Sequence, residues 1–244
     1  MIKGLAMLST WIGPKVNRGT RADQCVACLA HGAREGLCDG CWSDLPINET
    51  CCHQCALPLP RARDGQRCGE CLRQPPPFHR AHIPWRYQYP MDGLLGRYKY
   101  RNQLAFGRPL IAGLADFLEA MLDLPGAEPP EQIIPAPMFA ARRRRRGFNQ
   151  AQDIAEQIGQ RLNLPVNAGA LTRVRAAESQ RGLDRAGRLR NLEGVYAATG
   201  PVTGHVALLD DVVTTGATAR AMAATLLASG ADSVELWALA RTPS

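Results

Sequence analysis

The chain has 244 residues, enough for one large domain or two smaller ones. Charged residues make up 21% and hydrophobic residues 45%, an ordinary globular balance, and the formal net charge of +7 favours anionic partners. No apolar run reaches the about 18 residues of a membrane span, which excludes a membrane-spanning helix. Residues 1–13 carry no signal-peptide cleavage site. We therefore expect a cytoplasmic protein without a transmembrane segment.

All nine cysteines lie between Cys25 and Cys71, which marks a separate cysteine-built module. In the cytoplasm, paired cysteines bind metal more often than they form disulfides. The cysteines form Cys-x₂-Cys pairs, and a two-residue gap lets both sulfurs of a pair reach one ion. We predict two Zn²⁺ sites of four cysteines each, formed by Cys25, Cys28, Cys38, Cys41, Cys52, Cys55, Cys68 and Cys71.

The predicted zinc is structural, because neither set of ligands leaves a position for water. Few large apolar residues lie in this segment, so its folding is expected to depend on zinc. Sequential pairing of the cysteine pairs is preferred, and a cross-braced pairing stays open. Cys51 and His53 are more simply a surface thiol and a surface imidazole, although His53 could compete as a ligand.

The module boundaries follow from composition. We assign residues 1–24 to an N-terminal extension, 25–74 to a double zinc ribbon, 75–80 to a proline-rich linker and 81–244 to an α/β domain. The Gln74-Pro75-Pro76-Pro77 segment predicts a stiff, extended linker.

Strands and helices are predicted to alternate after the linker, which indicates a mostly parallel sheet with flanking helices. A strand at 81–89 is restricted to a sheet edge by Pro84. Ligands of such a sheet bind beyond the carboxyl ends of its strands. The remaining predicted helices are 91–100, 110–121, 149–162 and 217–229. The remaining strands are 132–134, 195–198, 205–209 and 233–240, and the last of them is expected to close the sheet.

The most informative segment follows the apolar strand 205–209. It has two adjacent acids, a small-residue turn and then a helix, so that free backbone N–H groups and the positive end of the helix dipole converge on one anion site. The candidate binding residues are Asp210, Asp211, Thr214, Thr215, Gly216, Ala217 and Thr218.

Asp210 and Asp211 would repel a phosphate directly. They suit neighbouring hydroxyl groups, or a Mg²⁺ ion bound to the ligand. A phosphate beside a polyhydroxyl ring is a sugar phosphate, and this is the ligand class that the segment predicts.

A second loop, rich in arginine, follows the 132–134 strand. Guanidinium groups between a strand end and a helix start could grip pyrophosphate or follow a nucleic-acid backbone. A run of arginines is more often a solvated basic surface, and the stronger signal is the Arg-Gly-Phe-Asn-Gln string, in which Asn149 is a helix N-cap candidate. The candidate residues are Arg142, Arg143, Arg146, Gly147, Phe148, Asn149 and Gln150.

Two further segments could reach the same site. The polar stretch 173–191 is either a lid over the ligand, with contacts from Gln180, Leu183, Arg188 and Asn191, or a mobile basic loop. Lys99, between two tyrosines, could neutralise phosphate, and the end of an amphipathic helix explains it equally well.

In order, these motifs closely resemble the ComF/GntX family of bacterial DNA-uptake accessory proteins, and the resemblance covers nearly everything after residue 24. It rests on the paired cysteines, the Lys99 segment, Pro135-Ala136-Pro137, Arg146-Gly147-Phe148-Asn149-Gln150-Ala151, Gln180-x₂-Leu183-x₄-Arg188-x₂-Asn191 and the loop from Asp210 to Thr218. The family usually carries Thr where this chain has Ala177, so a hydroxyl contact of the lid is in doubt. Cys51 is an addition to the family pattern.

The resemblance implies a zinc ribbon fused to a type I phosphoribosyltransferase-like domain that binds phosphoribosyl pyrophosphate (PRPP) with Mg²⁺. It also implies a role in transformation or in the use of external DNA, through single-stranded DNA and with DNA-uptake or recombination proteins as further partners. Catalysis does not follow, because the fold also serves PRPP sensing. Three readings stay open: a PRPP-binding accessory protein, an active transferase on an unidentified base or nucleotide, and an adaptor with a vestigial PRPP site.

Overall fold

A computed structural model describes residues 23–61, 65–100, 103–139, 144, 147–175 and 194–243 of the chain. The cysteine-rich part contains two one-turn helices, α1 (Asp39–Ser43) and α2 (Gly69–Arg73). Cys38 is the N-cap residue of α1 and Cys68 that of α2, so each helix starts beside the third cysteine of a predicted zinc site.

A five-stranded parallel sheet forms the centre of the remaining chain. Its order is β1-β7-β6-β3, and β2 pairs with β7 beyond the end of β1. Pro84 separates β1 from β2, which confirms the edge position expected for a strand interrupted by a residue without an N–H group. The five strands are β1 (Arg80–His82), β2 (Trp85–Arg86), β3 (Gln132–Pro135), β6 (His205–Val213) and β7 (Ser233–Arg241).

Four longer helices flank this sheet, and their positions agree with the predicted helical periodicity. They are α3 (Met91–Tyr100), α4 (Gly107–Leu122), α5 (Gln150–Leu162) and α6 (Ala217–Ala228), with a short 3₁₀ turn at Leu104–Phe106 before α4. Their apolar faces are buried, as at Leu114, Ile154 and Met222, each fully buried. The predicted mostly parallel α/β architecture is confirmed. Within the described ranges, none of the helices combines the length and apolarity that crossing a bilayer needs.

Three details differ from the prediction. β6 continues through both acids to Val213 instead of ending before them. β7 lies in the interior of the sheet, between β6 and the β1/β2 edge, and not at its border. An additional strand, β4 (Leu171–Arg173), pairs antiparallel with β5 (Tyr196–Ala198). β4 lies at the start of a polar stretch that lacks the alternation of apolar and polar residues typical of a strand. Its strand conformation therefore depends on pairing with β5.

The ribbon packs directly on the sheet. Ile47 forms an antiparallel bridge with Trp85 of β2, and the N–H group of Arg86 donates to the carbonyl of Pro46 at 2.8 Å. The ribbon therefore covers the edge of β2, which would otherwise present unpaired backbone groups. The linker segment is also fixed, since Phe78 is buried and the N–H group of His79 donates to the carbonyl of Val234 at 3.0 Å.

Candidate functional site

The loop after β6 has the shape that an anion site requires. Gly216 is the N-cap residue of α6 and has a φ of 76°, a left-handed conformation that favours glycine. The hydroxyl of Thr215 accepts a weak hydrogen bond from the N–H group of Ala217 at 3.4 Å. The first N–H groups of α6 consequently point out of the helix beside the Thr side chains of the loop.

The two acids at the end of β6 have different surroundings. The Lys99 ammonium lies 2.7 Å from a carboxylate oxygen of Asp211, and both side chains are largely buried. Asp210 accepts a hydrogen bond at 2.8 Å from the N–H group of Asp211. Burial and the neighbouring charge of Asp211 nevertheless raise the pKa of Asp210 to about 7. The charge of Asp211 is therefore balanced by Lys99, whereas Asp210 can still bind a cation or accept a hydrogen bond from a hydroxyl group.

The predicted loops meet at a cavity of about 220 Å³ at the carboxyl end of the sheet. A smaller pocket of about 40 Å³ lies against the turn itself and is lined by Asp210, Thr214, Gly216 and Thr218. The larger cavity joins the segment after β3, the start of α5 and the end of β6 through Ala136, Pro137, Asn149, Ala151, Asp210, Asp211 and Thr218. This is the position that ligands occupy in open parallel sheets.

The segment Gly147-Phe148-Asn149-Gln150 determines the local structure at the start of α5. Asn149 caps α5, since its side-chain oxygen accepts from the N–H group of Ala151 at 3.2 Å, and its amide donates to the carbonyl of Ala136 at 3.0 Å. The Phe148 ring packs edge-on against Tyr98, with 5.5 Å between centroids. Gly147 has a φ of 87° and Gln150 is buried. These residues fix the start of α5 at the cavity wall.

Tyr98 connects this wall to the acids. It is fully buried, and its hydroxyl donates to the carboxylate of Asp153 in the first turn of α5. Burial and this carboxylate raise the pKa of Tyr98, so the phenol stays a neutral donor. The next residue in α3 is Lys99, and the tyrosine therefore sets the direction from which the ammonium approaches Asp211.

Seven predicted residues lie outside the described part of the chain. Their contributions stay predictions, and they are Arg142, Arg143, Arg146, Gln180, Leu183, Arg188 and Asn191.

The cysteines form two compact groups with sequential pairing. In each group the four sulfurs lie within 4.8 Å of one another. The sulfurs of Cys28 and Cys38 are 3.6 Å apart and those of Cys55 and Cys68 are 3.8 Å apart, close to the about 3.8 Å edge of a tetrahedron with Zn–S bonds of about 2.3 Å. Both groups fit structural zinc. The first contains Cys25, Cys28, Cys38 and Cys41, and the second contains Cys52, Cys55, Cys68 and Cys71.

Among the described residues, neither Cys51 nor His53 belongs to either of the two metal-binding groups of four residues. Cys51 is half-buried in an antiparallel bridge with Pro58, and burial raises the pKa of its thiol. His53 is exposed.

Residues 22–72 match the sequence model of the double zinc ribbon domain. Across the longer alignment, DNA utilization protein YhgH of Escherichia coli K12 is 34% identical over 210 residues, covering 85% of this chain and 91% of that protein. Competence protein F of Haemophilus influenzae is 32% identical over 224 residues, covering 89% of this chain and 96% of that protein. The chain belongs to the ComF/GntX family. The YhgH protein of Salmonella typhimurium is a further relative, 33% identical over 208 residues that cover 85% of this chain and 91% of that protein.

Two residues of this ComF/GntX protein that line the larger cavity escaped the sequence prediction. Arg173 of β4 and Tyr196 of β5 both face it. The Arg173 guanidinium lies 5.8 Å from the Phe139 ring centroid and 6.0 Å from that of Tyr196. Their position depends on the antiparallel pairing of β4 with β5, for which the sequence carries little signal.

Arg241 is the third residue of this ComF/GntX chain that was missed. It is buried at the end of β7, and its guanidinium donates to the carbonyls of Val213, at 3.1 Å, and Thr214, at the base of the turn between β6 and α6. It also donates to the carbonyl of Cys55 at 3.3 Å. The sequence signal that could have pointed to Arg241 is its position as a charged residue at the end of an apolar strand. Arg241 therefore links the turn between β6 and α6 to the second group of four cysteines.

Proposed function

We propose that this chain is a PRPP-binding accessory protein of DNA uptake and utilisation. The observation that carries the proposal is the convergence of Asp210, Asp211 and the Thr214–Thr218 turn on one cavity at the carboxyl end of the parallel sheet. The names of its relatives, DNA utilization protein and competence protein F, support the cellular setting.

Each part of the site suits a different part of PRPP. The N–H groups at the start of α6 and the Thr hydroxyls offer donors to the 5-phosphate. Asp210 and Asp211 lie beside the turn and suit the ribose hydroxyls, which donate hydrogen bonds to carboxylates. Lys99 pairs with Asp211 at 2.7 Å and so balances the charge of this carboxylate beside the cavity.

The donor set also fits Mg²⁺. Carboxylate oxygens are preferred ligands of this ion, which is held in nucleotide sites by one or two carboxylates together with substrate phosphates. Asp210 is the better placed of the two acids, because Asp211 already pairs with Lys99. When bound, the ion would neutralise pyrophosphate charge next to Asp210.

Calorimetric titration of the full chain with PRPP and Mg²⁺ tests this proposal. We expect saturable binding, and a loss of at least about 100-fold in affinity, roughly 2.7 kcal/mol, in the Asp210→Ala, Asp211→Ala double variant. Asp123→Ala is a matched control, since this exposed acid follows α4 and lies outside the cavity lining.

Unchanged binding in the double variant would contradict the assignment of the site. An absence of binding in the unaltered chain would favour the interpretation in which the PRPP site is vestigial and the protein is an adaptor. Circular dichroism of each variant separates loss of the ligand from loss of the fold.

A second candidate function is phosphoribosyl transfer to a base or nucleotide. It is favoured by Phe139, Tyr196 and Arg173, which place two aromatic rings and a guanidinium beside the acids, where a planar base could stack. Incubation with PRPP, Mg²⁺ and a panel of bases and nucleotides tests it. Release of pyrophosphate with one acceptor would show turnover, and its absence across the panel leaves a binding role.

A further inference from the structure

A cluster of three histidines and one glutamate lies at the opposite, amino-terminal end of the sheet. His82 on β1, His205 on β6 and Glu235 on β7 occupy the same face of the sheet, as their pairing registers require. His79 precedes β1 and packs against His205, with ring centroids 5.2 Å apart. No sequence motif predicts this cluster, because the pair His79 and His82 lies more than a hundred residues before the pair His205 and Glu235.

The three imidazoles converge on one carboxylate oxygen. Oε2 of Glu235 lies 3.9 Å from Nε2 of His79, 3.5 Å from Nε2 of His82 and 3.6 Å from Nε2 of His205. The other oxygen, Oε1, is buried and makes no hydrogen bond with any residue that the structure describes. A buried carboxylate with an unused oxygen is costly unless a further partner binds it.

The carboxylate of Glu235 also lies deep in the fold. Its side chain is only 5% exposed. A negative charge at this depth attracts cations in general, and the surrounding imidazole nitrogens select among them.

The geometry agrees with a tetrahedral metal site. One ligand atom each from His79, His205 and Glu235 lies within 4.8 Å of the others. A tetrahedron with bonds of about 2.0 Å has edges of about 3.3 Å, so the two measured Nε2–Oε2 separations exceed that edge by less than 1 Å. Side-chain rotation alone can close this difference.

Two neighbours support the ligands from behind. Nδ1 of His205 lies 2.6 Å from the hydroxyl of Ser233, a contact that leaves Nε2 free to coordinate when Nδ1 carries the proton. His82 is largely buried, and its Nε2 lies 3.5 Å from the same carboxylate oxygen. Ordered partners that orient the ligands in this way are a regular feature of histidine–carboxylate metal sites.

The cluster opens onto a cavity of about 400 Å³, which Glu128 and His53 also line. Three protein ligands therefore leave a fourth position that faces the cavity. This differs from the two groups of four cysteines, each of which supplies a complete tetrahedral shell.

We propose that His79, His205 and Glu235 form a third metal site, which takes a divalent first-row transition ion, Zn²⁺ foremost, with one position open to solvent. Mixed imidazole and carboxylate ligands are typical of zinc and disfavour Mg²⁺ and Ca²⁺, which take oxygen ligands. The alternative is a metal-free cluster of histidines paired with one carboxylate. It predicts that the chain binds two metal ions, at the cysteine sites, and not three.

Metal analysis of the full chain tests the proposal. After removal of loosely held metal under conditions that retain the two cysteine sites, the chain is titrated with Zn²⁺. We expect a third equivalent, in addition to the two held by cysteine. Its affinity should fall by at least about 100-fold in Glu235→Gln and in His79→Gln, because even residues that only orient a metal ligand contribute about 10–100-fold. His53→Gln is the matched control, a histidine of the same cavity outside the ligand set.

Cobalt identifies the ligands independently of any variant. Co²⁺ added to the unaltered chain that holds zinc in its two cysteine sites alone should give d–d absorption without the thiolate charge-transfer bands that binding by cysteine would produce. Saturation of the unaltered chain at two metal ions would overturn the proposal. So would a third ion that keeps its affinity in His79→Gln, whose half-exposed side chain can be replaced without disturbing the core.

Discussion

Asp210 and Asp211 are adjacent on β6, yet their carboxyl groups have different surroundings. Asp211 forms an ion pair with Lys99. Asp210 is half-buried beside a second negative charge, and its pKa rises from 3.8 to about 7. The folded chain therefore binds the Asp210 proton more tightly than the unfolded chain does, and stability decreases as the pH rises through this window.

Replacing each acid by its amide should change stability in opposite directions. At pH 8, we expect Asp210→Asn to raise the melting temperature by about 2–4 °C, which corresponds to a gain of about 1 kcal/mol. Asp211→Asn should lower it, because Lys99 would be left largely buried without its partner. Thermal unfolding from pH 4 to pH 8 measures both, and two equal losses of stability would contradict this account.

At the scale of single elements, α3 and α4 meet without space for an added atom. A Cβ atom on Gly107 would lie 2.6 Å from the Tyr98 ring, which is fully buried. Because Tyr98 precedes Lys99, the contact between these helices also sets the position of the ammonium beside Asp211.

Gly107→Ala should destabilise the chain by about 1–3 kcal/mol through overpacking against Tyr98. Gly93→Ala is the matched control: Gly93 lies inside α3, no atom lies within 4 Å of an added Cβ, and alanine there should stabilise the helix by up to about 1 kcal/mol. Urea unfolding compares the two. Equal effects of the two substitutions would show that the Tyr98 contact is unimportant.

The elements that could be predicted are those encoded locally. The periodicity of α4, the cap of α5 at Asn149 and the glycine turn before α6 each depend on neighbours in sequence, and each is present. β4 depends on a partner strand more than twenty residues away, and the extension of β6 through two acids depends on pairing with β7. The acids and Lys99 were named from the sequence, but their ion pair depends on how α3 packs. Arg173, Tyr196 and Arg241 were missed for the same reason, since tertiary contacts alone place them.

At the scale of the whole molecule, hydrogen bonds connect the ribbon to the turn between β6 and α6. Arg241 links the carbonyls of Val213 and Thr214 to that of Cys55. Arg220 in α6 reaches the carboxylate of Glu70 at 3.1 Å and the carbonyl of Gln74 at 2.9 Å. The second zinc site therefore supports both sides of the loop.

Loss of zinc from the second site should loosen the turn between β6 and α6. In Cys55→Ser, we expect faster amide hydrogen exchange across residues 213–220, because Arg241 and Arg220 lose their anchors. Cys28→Ser affects the first zinc site and is the control, with little change expected in that segment. Hydrogen-exchange mass spectrometry measures both variants, and unaltered exchange in Cys55→Ser would refute the connection.

The net charge of +7 and the arginine run of residues 142–146 lead to a prediction about nucleic acid. If these arginines contact single-stranded DNA, the logarithm of the affinity should fall steeply with that of salt, by about 0.7 for each phosphate neutralised. Replacing the five arginines by glutamine should weaken binding and flatten this slope. Arg34→Gln is a control, since this exposed arginine already lies 3.5 Å from Asp39. Fluorescence anisotropy measures the slopes, and a salt-insensitive interaction would count against the assignment.

β6 carries one member of each proposed site, with His205 at its start and Asp210 five residues further along. At about 3.3 Å per residue, the two positions are separated by about 17 Å. The residues of the histidine cluster and the lining of the cavity beside Asp210 have no member in common. The two ends can therefore change independently, so a relative could lose the histidines and keep the turn between β6 and α6 intact.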